Sequence, residues 1–325
     1  MNKVINEDIM KSCSLRKAGG EKLKLKTAII AVSISAIVVI SALVINFKIS
    51  DSSGGTTRTL PSTNSTSINQ PFETLVGNLS NPHPYYNSSY GYVTPNLWNL
   101  KEGNGNVIMS IYSNSSIHTI ASLTNVTTNV HTIVGYPSEH FIYSIGEPVT
   151  SLINDNLSSF VSFQIGNYTQ ELPVDIAYDI FLGHNNVNLS VEIMIFLYWS
   201  SNNYPSAAYV GSVTIPTIIN GHSQNVTWDV LENAEGTSGG WPLFIFIPSI
   251  TLQNSMSYTI NIATFLSYLE KNSYIPPSYI MVRLGIGSEF GSIYSPTESY
   301  SFWMYTYFIL DGTKYQVIQP PPEVN

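Results

Sequence analysis

Val174–Leu182 reads VDIAYDIFL and Ser190–Trp199 reads SVEIMIFLYW. Both stretches alternate, and side chains two apart on a strand share a face. In the second, Val191, Ile193, Ile195, Leu197 and Trp199 form one apolar face, as an inter-sheet core requires. The opposite face carries Ser190, Glu192, Met194, Phe196 and Tyr198. A carboxylate mid-strand among Met and aromatic side chains is costly if buried without a partner. A cleft with an aromatic floor removes the conflict; a surface Glu on a solvated face is the alternative for this strand alone. In the first stretch Asp175, Ala177, Asp179 and Phe181 share one face. Ile176, Tyr178, Ile180 and Leu182 share the other. The connection centres on Asn185-Asn186, a pair suited to a tight hairpin turn. A hairpin symmetric about that pair sets Asp179 directly opposite Glu192. Two adjacent carboxyls repel, so one is raised in pKa and shares a proton with the other.

A third stretch, Tyr279–Phe290, reads YIMVRLGIGSEF. Alternation groups Met281, Arg283, Gly285, Gly287 and Glu289 against Val282, Leu284, Ile286 and Ser288. Two glycines ahead of Glu289 clear space for a close backbone or ligand. Working outward, Val107–Tyr112, Tyr209–Ile215, Pro242–Ile247 and Tyr300–Leu310 are further expected strands. Asn220-Gly221 and Asp311-Gly312 supply turns. Only Ile260–Lys271 shows helical spacing. Many strands with turn punctuation indicate an all-β sandwich or barrel.

The chain has 325 residues, 43% apolar and only 10% charged, with net charge −8. Disordered chains combine low hydrophobicity with high charge, so disorder is excluded for most of the chain. Nucleic acid is excluded as a partner, because phosphate backbones need Lys and Arg. The one cysteine, Cys13, excludes an internal disulfide framework and Cys-rich zinc modules. The six histidines show no metal-ligand spacing, and no metal or cofactor is expected.

The charges are unevenly placed. Residues 27–47 (TAIIAVSISAIVVISALVINF) carry none, and about 20 apolar residues span a bilayer. Seven basic and three acidic residues precede this segment; six basic and eighteen acidic residues follow it. The basic flank stays in the cytoplasm, which places everything after Phe47 outside the cell. A signal peptide has a shorter apolar region and a small-residue cleavage site. A retained signal anchor is therefore expected, with secretion after cleavage as the alternative. The resulting organisation is a cytoplasmic basic tail (1–26), a transmembrane helix (27–47), a Ser/Thr-rich linker (48–72), a monomeric catalytic domain (73–319) and a C-terminal tail (320–325). Nine Asn-x-Ser/Thr sequons follow the anchor (Asn64, Asn78, Asn87, Asn114, Asn125, Asn156, Asn167, Asn188 and Asn225) and suggest a glycosylated exterior. Few bases outside suit an acidic medium, where carboxylates lose charge and bases keep it.

Two Glu residues far apart in sequence, on strands lining one cleft, suit glycoside hydrolysis. One attacks the anomeric carbon and the other protonates the leaving oxygen. The motifs Asn96-Leu97-Trp98-Asn99, Ala177-Tyr178-Asp179-Ile180-Phe181, Val191-Glu192-Ile193-Met194-Ile195 and Gly285-Ile286-Gly287-Ser288-Glu289-Phe290-Gly291 occur in this order. Together they resemble glycoside hydrolase family 12, the β-jelly-roll endoglucanases, over most of residues 85–310. The tail, anchor and stalk are similar to archaeal members from hot acidic habitats. The resemblance implies an all-β jelly-roll sandwich with a concave cleft, and a retaining endo-β-1,4-glucanase without a cofactor. It implies Glu192 as nucleophile, Glu289 as acid/base and Asp179 as the residue that hydrogen-bonds the nucleophile. Asn96 and Trp98 match glucan-binding positions, and Met194 packs beside the reaction centre. Phe196 stands where the family often carries Trp, so a cleft wall differs. No Pro follows Glu289. The implied substrate is cellulose-like β-glucan, with mixed-linkage glucan, xyloglucan and xylan as further candidates.

Trp241 is a candidate cleft residue. Trp303, Tyr305 and Tyr307 are expected in the core, with a cleft position as the minority reading, and Trp228 in the core. Gly236-Thr237-Ser238-Gly239-Gly240 fits a serine-hydrolase expression but lies in a Gly-rich loop rather than a strand–turn–helix, and is set aside. Two other functions fit the topology: a non-catalytic carbohydrate-binding or surface-layer sandwich, and a thermopsin-type acid protease. The protease reading lacks the Asp-Thr/Ser-Gly signature.

Overall fold

Period-two alternation sorts each long strand onto two faces, and the burial of those faces builds the sandwich. The structure is a computed structural model that describes residues 70–129, 132–186, 188–200, 207–233, 240–291 and 297–319. The strands are β1 (Glu73–Gly77), β2 (Tyr86–Asn87), β3 (Gly91–Thr94), β4 (Leu100–Ile111), β5 (Ser116–Thr128), β6 (Ile133–Gly135), β7 (Ser138–Phe141), β8 (Ser158–Ile165), β9 (Asp175–Gly183), β10 (Leu189–Trp199), β11 (Ala208–Ile219), β12 (His222–Asn233), β13 (Leu243–Pro248), β14 (Ser255–Asn261), β15 (Ile280–Gly287), β16 (Phe290–Gly291), β17 (Glu298–Leu310) and β18 (Thr313–Tyr315). The described helices are α1 (Val149–Asn154) and α2 (Ile262–Lys271).

One ladder runs β1-β4-β5-β17-β8-β14-β11-β12-β13-β10-β9-β15-β7-β3-β2. It folds over at β11, which pairs along its length with β12 but meets β14 only through Ile218 and Ile219. An outer sheet (β1, β4, β5, β17, β8, β14) thereby packs on a cleft sheet (β12, β13, β10, β9, β15, β7, β3, β2). Tyr300, Phe302, Met304 and Phe308 of β17 meet Ile176, Tyr178, Ile180, Ile193 and Ile195 of the cleft sheet in one buried cluster. Two phenols tie the layers across that core: Tyr178 donates to Ser159 Oγ (2.9 Å) and Tyr258 to the Leu197 carbonyl (2.9 Å). Asn220-Gly221 turns β11 into β12 with both φ angles positive (50° and 79°), the type I′ geometry that Asn-Gly favours. Helix α2 starts where the Asn261 side chain accepts the Thr264 N–H (3.1 Å) and packs Phe265 edge-on against Trp228 and Phe246.

Four details depart from the expectations of the sequence. The β9–β10 hairpin is two residues out from symmetry about Asn185-Asn186: Asp179 pairs with Met194, and Glu192 with Phe181. Asn185 Oδ1 accepts the Asn188 N–H (2.9 Å), part of a turn longer than the two-residue form. A two-residue slip preserves faces, so Asp179 and Glu192 remain on one side, as diagonal neighbours. A register shift between Phe196 and Tyr198 swaps the last two side chains of β10: Tyr198 enters the core and Trp199 turns to the cleft side. A second shift, between Met281 and Arg283, sends Met281 into the core. Trp303, Tyr305 and Tyr307 lie neither in core nor cleft. Their neighbours Phe302, Met304, Thr306 and Phe308 take the core face, leaving these three on the outward face of the outer sheet, where Trp303 stacks on His118 (4.0 Å).

The expected transmembrane helix, the basic tail, Cys13, nearly all of the linker, the tail from 320 and most of the Gly236–Gly240 stretch lie outside the described residues. Among the described residues no helix is long and apolar enough to cross a membrane.

One core position of the cleft sheet carries a carboxyl. Glu139 is 1% exposed, pairs with Ile286 on the core side of β7, and its Oε1 has no hydrogen-bond partner. Burial raises its pKa well above the usual carboxylate value. The folded state therefore holds a proton that the unfolded chain releases, so stability is full in acid and falls as pH rises from the unfolded toward the folded pKa. Glu139→Gln removes that ionisation. Thermal melting from pH 4 to pH 8 should show the wild type losing more stability toward neutral pH than the variant; equal slopes contradict the assignment.

Candidate active site

The ladders of the cleft sheet set side chains in rows. Leu243, Glu192, Phe181 and Arg283 form one row across β13, β10, β9 and β15. Ile245, Met194, Asp179, Gly285, His140 and Tyr92 form the next, reaching β7 and β3. Over these rows opens a cleft of about 430 Å³. It brings together Asn96, Trp98, Asp179, Glu192, Met194, Trp241 and Glu289 from the expected set, and adds Tyr136, Phe181, Leu243, Ile133 and Arg283. Phe196 is not part of the lining. It is 4% exposed and joins Ala177, Met194, Leu231, Ile245 and Ile247 in a small apolar cluster, edge-on to Trp199. It lies beside Met194 on the same face of β10, enclosed by these neighbours rather than exposed to the cleft.

Glu192 is fixed from β13, the strand paired in parallel with β10. Its backbone N–H donates to the Pro242 carbonyl (3.0 Å). The Trp241 indole N–H donates to its Oε2 (3.0 Å). An indole N–H only donates, so it favours negative charge on that oxygen. Trp241 also meets Phe181 edge-on (6.1 Å), and the Arg283 guanidinium lies over the same Phe181 ring (4.8 Å).

Glu289 follows the end of β15, held by an exchange with Asp175. Its N–H donates to Asp175 Oδ1 (3.0 Å), and the Asp175 N–H donates to its carbonyl (3.1 Å). Ser288 reinforces the turn: its hydroxyl donates to the Asp175 carbonyl and accepts from Tyr300. Burial raises the Glu289 pKa well above the usual range, and the charges of Asp175, Asp179 and Glu192 add to the shift. Asp179 is raised by burial and by Glu192, with Arg283 opposing. Its Oδ1 is buried without a hydrogen-bond partner. The cluster thus retains protons where isolated carboxyls lose them.

The two glycines of β15 do not open room for ligand. A Cβ on Gly285 would meet the His140 ring at 3.0 Å, and one on Gly287 would meet the Pro137 carbonyl and Ser138. Both admit protein atoms close over the sheet. His140 is thereby enclosed. It stacks on Tyr92 (4.4 Å), and burial, with Arg283, lowers its pKa to about 3. Tyr136 donates to the Ala177 carbonyl (2.8 Å) at the cleft floor. Leu97 is buried and Asn99 Nδ2 donates to the Ile133 carbonyl (2.6 Å), so Trp98 between them points outward, 39% exposed. Asn96 takes a left-handed φ of 43° and its carbonyl accepts the Tyr136 N–H (3.0 Å). Among the described residues no cluster of three His, Cys, Asp or Glu side chains is arranged to hold a metal.

The model of the glycosyl hydrolase family 12 matches residues 90–306, two thirds of the chain and every element of this cleft. The chain belongs to glycoside hydrolase family 12. It is thus a glycosidase by family. Solved structures share the fold: endoglucanase 3 of Trichoderma harzianum (20% identity, 72% of this chain and 97% of that one, TM-score 0.54), a native family 12 xyloglucanase of Bacillus licheniformis (22%, 73% and 100%, 0.54) and the Humicola grisea Cel12A catalytic domain, soaked with thio-cellotetraose (19%, 73% and 99%, 0.53). A search of curated proteins returned no match.

Three residues of the family 12 cleft went unread in the sequence. Asp175 shares the face of Asp179 by parity, a signal that was available. Arg283 had the right parity, but a lone base among apolar neighbours carries no motif. Tyr136 comes from the segment between β6 and β7, whose approach to β9 no local pattern encodes.

Asp179→Asn removes one of the charges that raises Glu289. The Glu289 carboxyl should then titrate at lower pH, read by carbon-13 NMR of labelled Glu; an unchanged or higher value contradicts the coupling.

Proposed function

We propose that this protein is a retaining endo-β-1,4-glucanase that cleaves cellulose-like polysaccharide outside the cell, with xyloglucan and xylan as further substrates. One observation carries the reading: two carboxyls in one cleft have opposite surroundings. Glu192 accepts an N–H from Trp241, while Glu289 is half-buried, and desolvation together with the neighbouring carboxyls raises its pKa well above the usual range. Pairs whose environments are pushed apart divide into acid and nucleophile.

In the first step Glu192 attacks the anomeric carbon, and the C–O bond to the leaving sugar breaks as Glu289 gives that oxygen its proton. A glycosyl ester on Glu192 results. In the second step Glu289, now ionised, takes a proton from water, which attacks the anomeric carbon; the bond from that carbon to the Glu192 oxygen breaks and Glu192 leaves as a carboxylate. Two inversions give net retention. Asp179, diagonal to Glu192 on the same sheet face, is assigned the task of orienting the nucleophile. Trp98 offers an exposed indole on which a sugar ring can stack, Asn96 an amide for its hydroxyls, and Met194 the apolar floor beside the anomeric carbon. Attachment through residues 27–47 keeps the enzyme at the cell surface, which suits a substrate too large to import.

Reducing ends released from carboxymethyl-cellulose by the full-length protein test the pair. Glu192→Gln and Glu289→Gln should each lose on the order of 10²–10⁴ in kcat while keeping the circular dichroism of the wild type. Full activity in either variant removes that residue from the mechanism. A folded wild type inert on cellulose, xyloglucan and xylan returns the protein to a binding module.

A further inference from the structure

A second cavity of about 450 Å³ adjoins the reaction cleft, sharing Asn96 and Arg283 with it. Its other lining residues are His83, Tyr85, Asn87, Tyr92, Thr94 and His140. The two spaces differ in charge. The reaction cleft is lined by three carboxyls, Asp179, Glu192 and Glu289. The second cavity is lined by none, and the one fixed cation of both is Arg283 at their junction.

Arg283 is held for recognition rather than for folding. Its guanidinium carbon lies 4.8 Å from the Phe181 ring centroid, a cation–π contact that supplies no oxygen acceptor to its N–H groups. Phe181 is in turn braced by the edge of Trp241. Among the described residues no carboxylate forms an ion pair with Arg283. A guanidinium stays charged at every relevant pH and presents two parallel donors that match a carboxylate. His140, in the same lining, has its pKa lowered to about 3 by burial and by Arg283, so it adds no positive charge beside the guanidinium. Arg283 lies in the row of Glu192, two strand spacings or about 10 Å away across the sheet. That separation places an arginine contact on a sugar other than the one being attacked.

We infer that the second cavity is a subsite for an acidic sugar: Arg283 pairs with the carboxylate of a uronic acid, or of a carboxylated branch, on a β-glycan whose neutral backbone crosses the carboxyls of the reaction cleft. The inference rests on the endoglucanase reading and makes Arg283 a determinant of substrate choice. A polysaccharide carrying its acid over the reaction cleft, away from Arg283, meets the Glu192 carboxylate and no cation and is disfavoured, so the two spaces together select the direction in which a charged chain lies. Tyr85 stands 63% exposed at the rim, where an aromatic face offers stacking to the same sugar.

The test compares two soluble cellulose ethers, carboxymethyl-cellulose and the neutral hydroxyethyl-cellulose, at pH 6 where the carboxymethyl groups are ionised. The readout is the ratio of kcat/KM for the charged over the neutral polymer, in wild type, Arg283→Gln and Arg283→Lys. The ratio should fall about ten-fold in Arg283→Gln, the loss expected of one charge-assisted contact. Arg283→Lys, which keeps charge but not the fork, should lie between, and salt should lower the wild-type ratio but not that of Arg283→Gln. Hydrolysis of both polymers with the same ratio in all three proteins overturns the inference and leaves the endoglucanase reading intact. A change common to both polymers, with a displaced pH profile, also overturns it and makes Arg283 a positioning residue for Asp179. A folded wild type that cleaves neither polymer removes the reading on which the inference rests.

Discussion

Four carboxyl groups on one face of one sheet are the constraint around which the rest of this structure is arranged. Asp175, Asp179, Glu192 and Glu289 are too close to ionise together at low energetic cost. The fold answers with fixed hydrogen-bond donors and retained protons. Asp175 receives a backbone N–H from Glu289, Glu192 receives the Trp241 indole, and Asp179 and Glu289 hold protons above their usual range. The destabilisation this implies is local. It is tolerated because the opposite face of the same strands is an uninterrupted apolar core.

The sandwich is therefore more than a support. The alternation that drives Ile176, Tyr178, Ile193 and Ile195 inward obliges Asp175, Asp179, Glu192 and Met194 to face the cleft. A change of register by one residue would invert both faces at once, so the core fixes the position of the carboxyls. The parallel pairing of β10 with β13 adds what alternation cannot: it brings Pro242 and Trp241 beside Glu192 from a segment fifty residues further along the chain.

This division explains what the sequence made legible. Faces follow from period two, so the sides taken by Asp179, Glu192 and Glu289 were readable, as was helical spacing over Ile260–Lys271, where the helix runs from Ile262 to Lys271. Pairing and bulges depend on turn conformation and tertiary fit, which local pattern does not carry. The β9–β10 turn is longer than its Asn-Asn centre suggested, so Asp179 stands diagonal to Glu192 rather than opposite. The bulges in β10 and β15 moved Tyr198, Trp199 and Met281 to unexpected faces. Phe196 kept its face but is enclosed beside Met194, because Leu231, Ile245, Ile247 and Trp199 pack around that end of the sheet face. Tyr136 and His140 reach the site through close approaches permitted by Gly285 and Gly287, contacts that show only in three dimensions.

The central claim is that Glu192 becomes covalently attached to sugar during turnover. The direct measurement is incubation of the full-length protein with an activated 2-deoxy-2-fluoro-cellobioside, which slows release of a glycosyl ester, followed by peptide mass spectrometry. The account predicts time-dependent inactivation with one sugar adduct on the peptide carrying Glu192, and none in Glu192→Gln. An adduct on a different carboxyl, or an active enzyme that forms no adduct and inverts the anomeric centre, would contradict it.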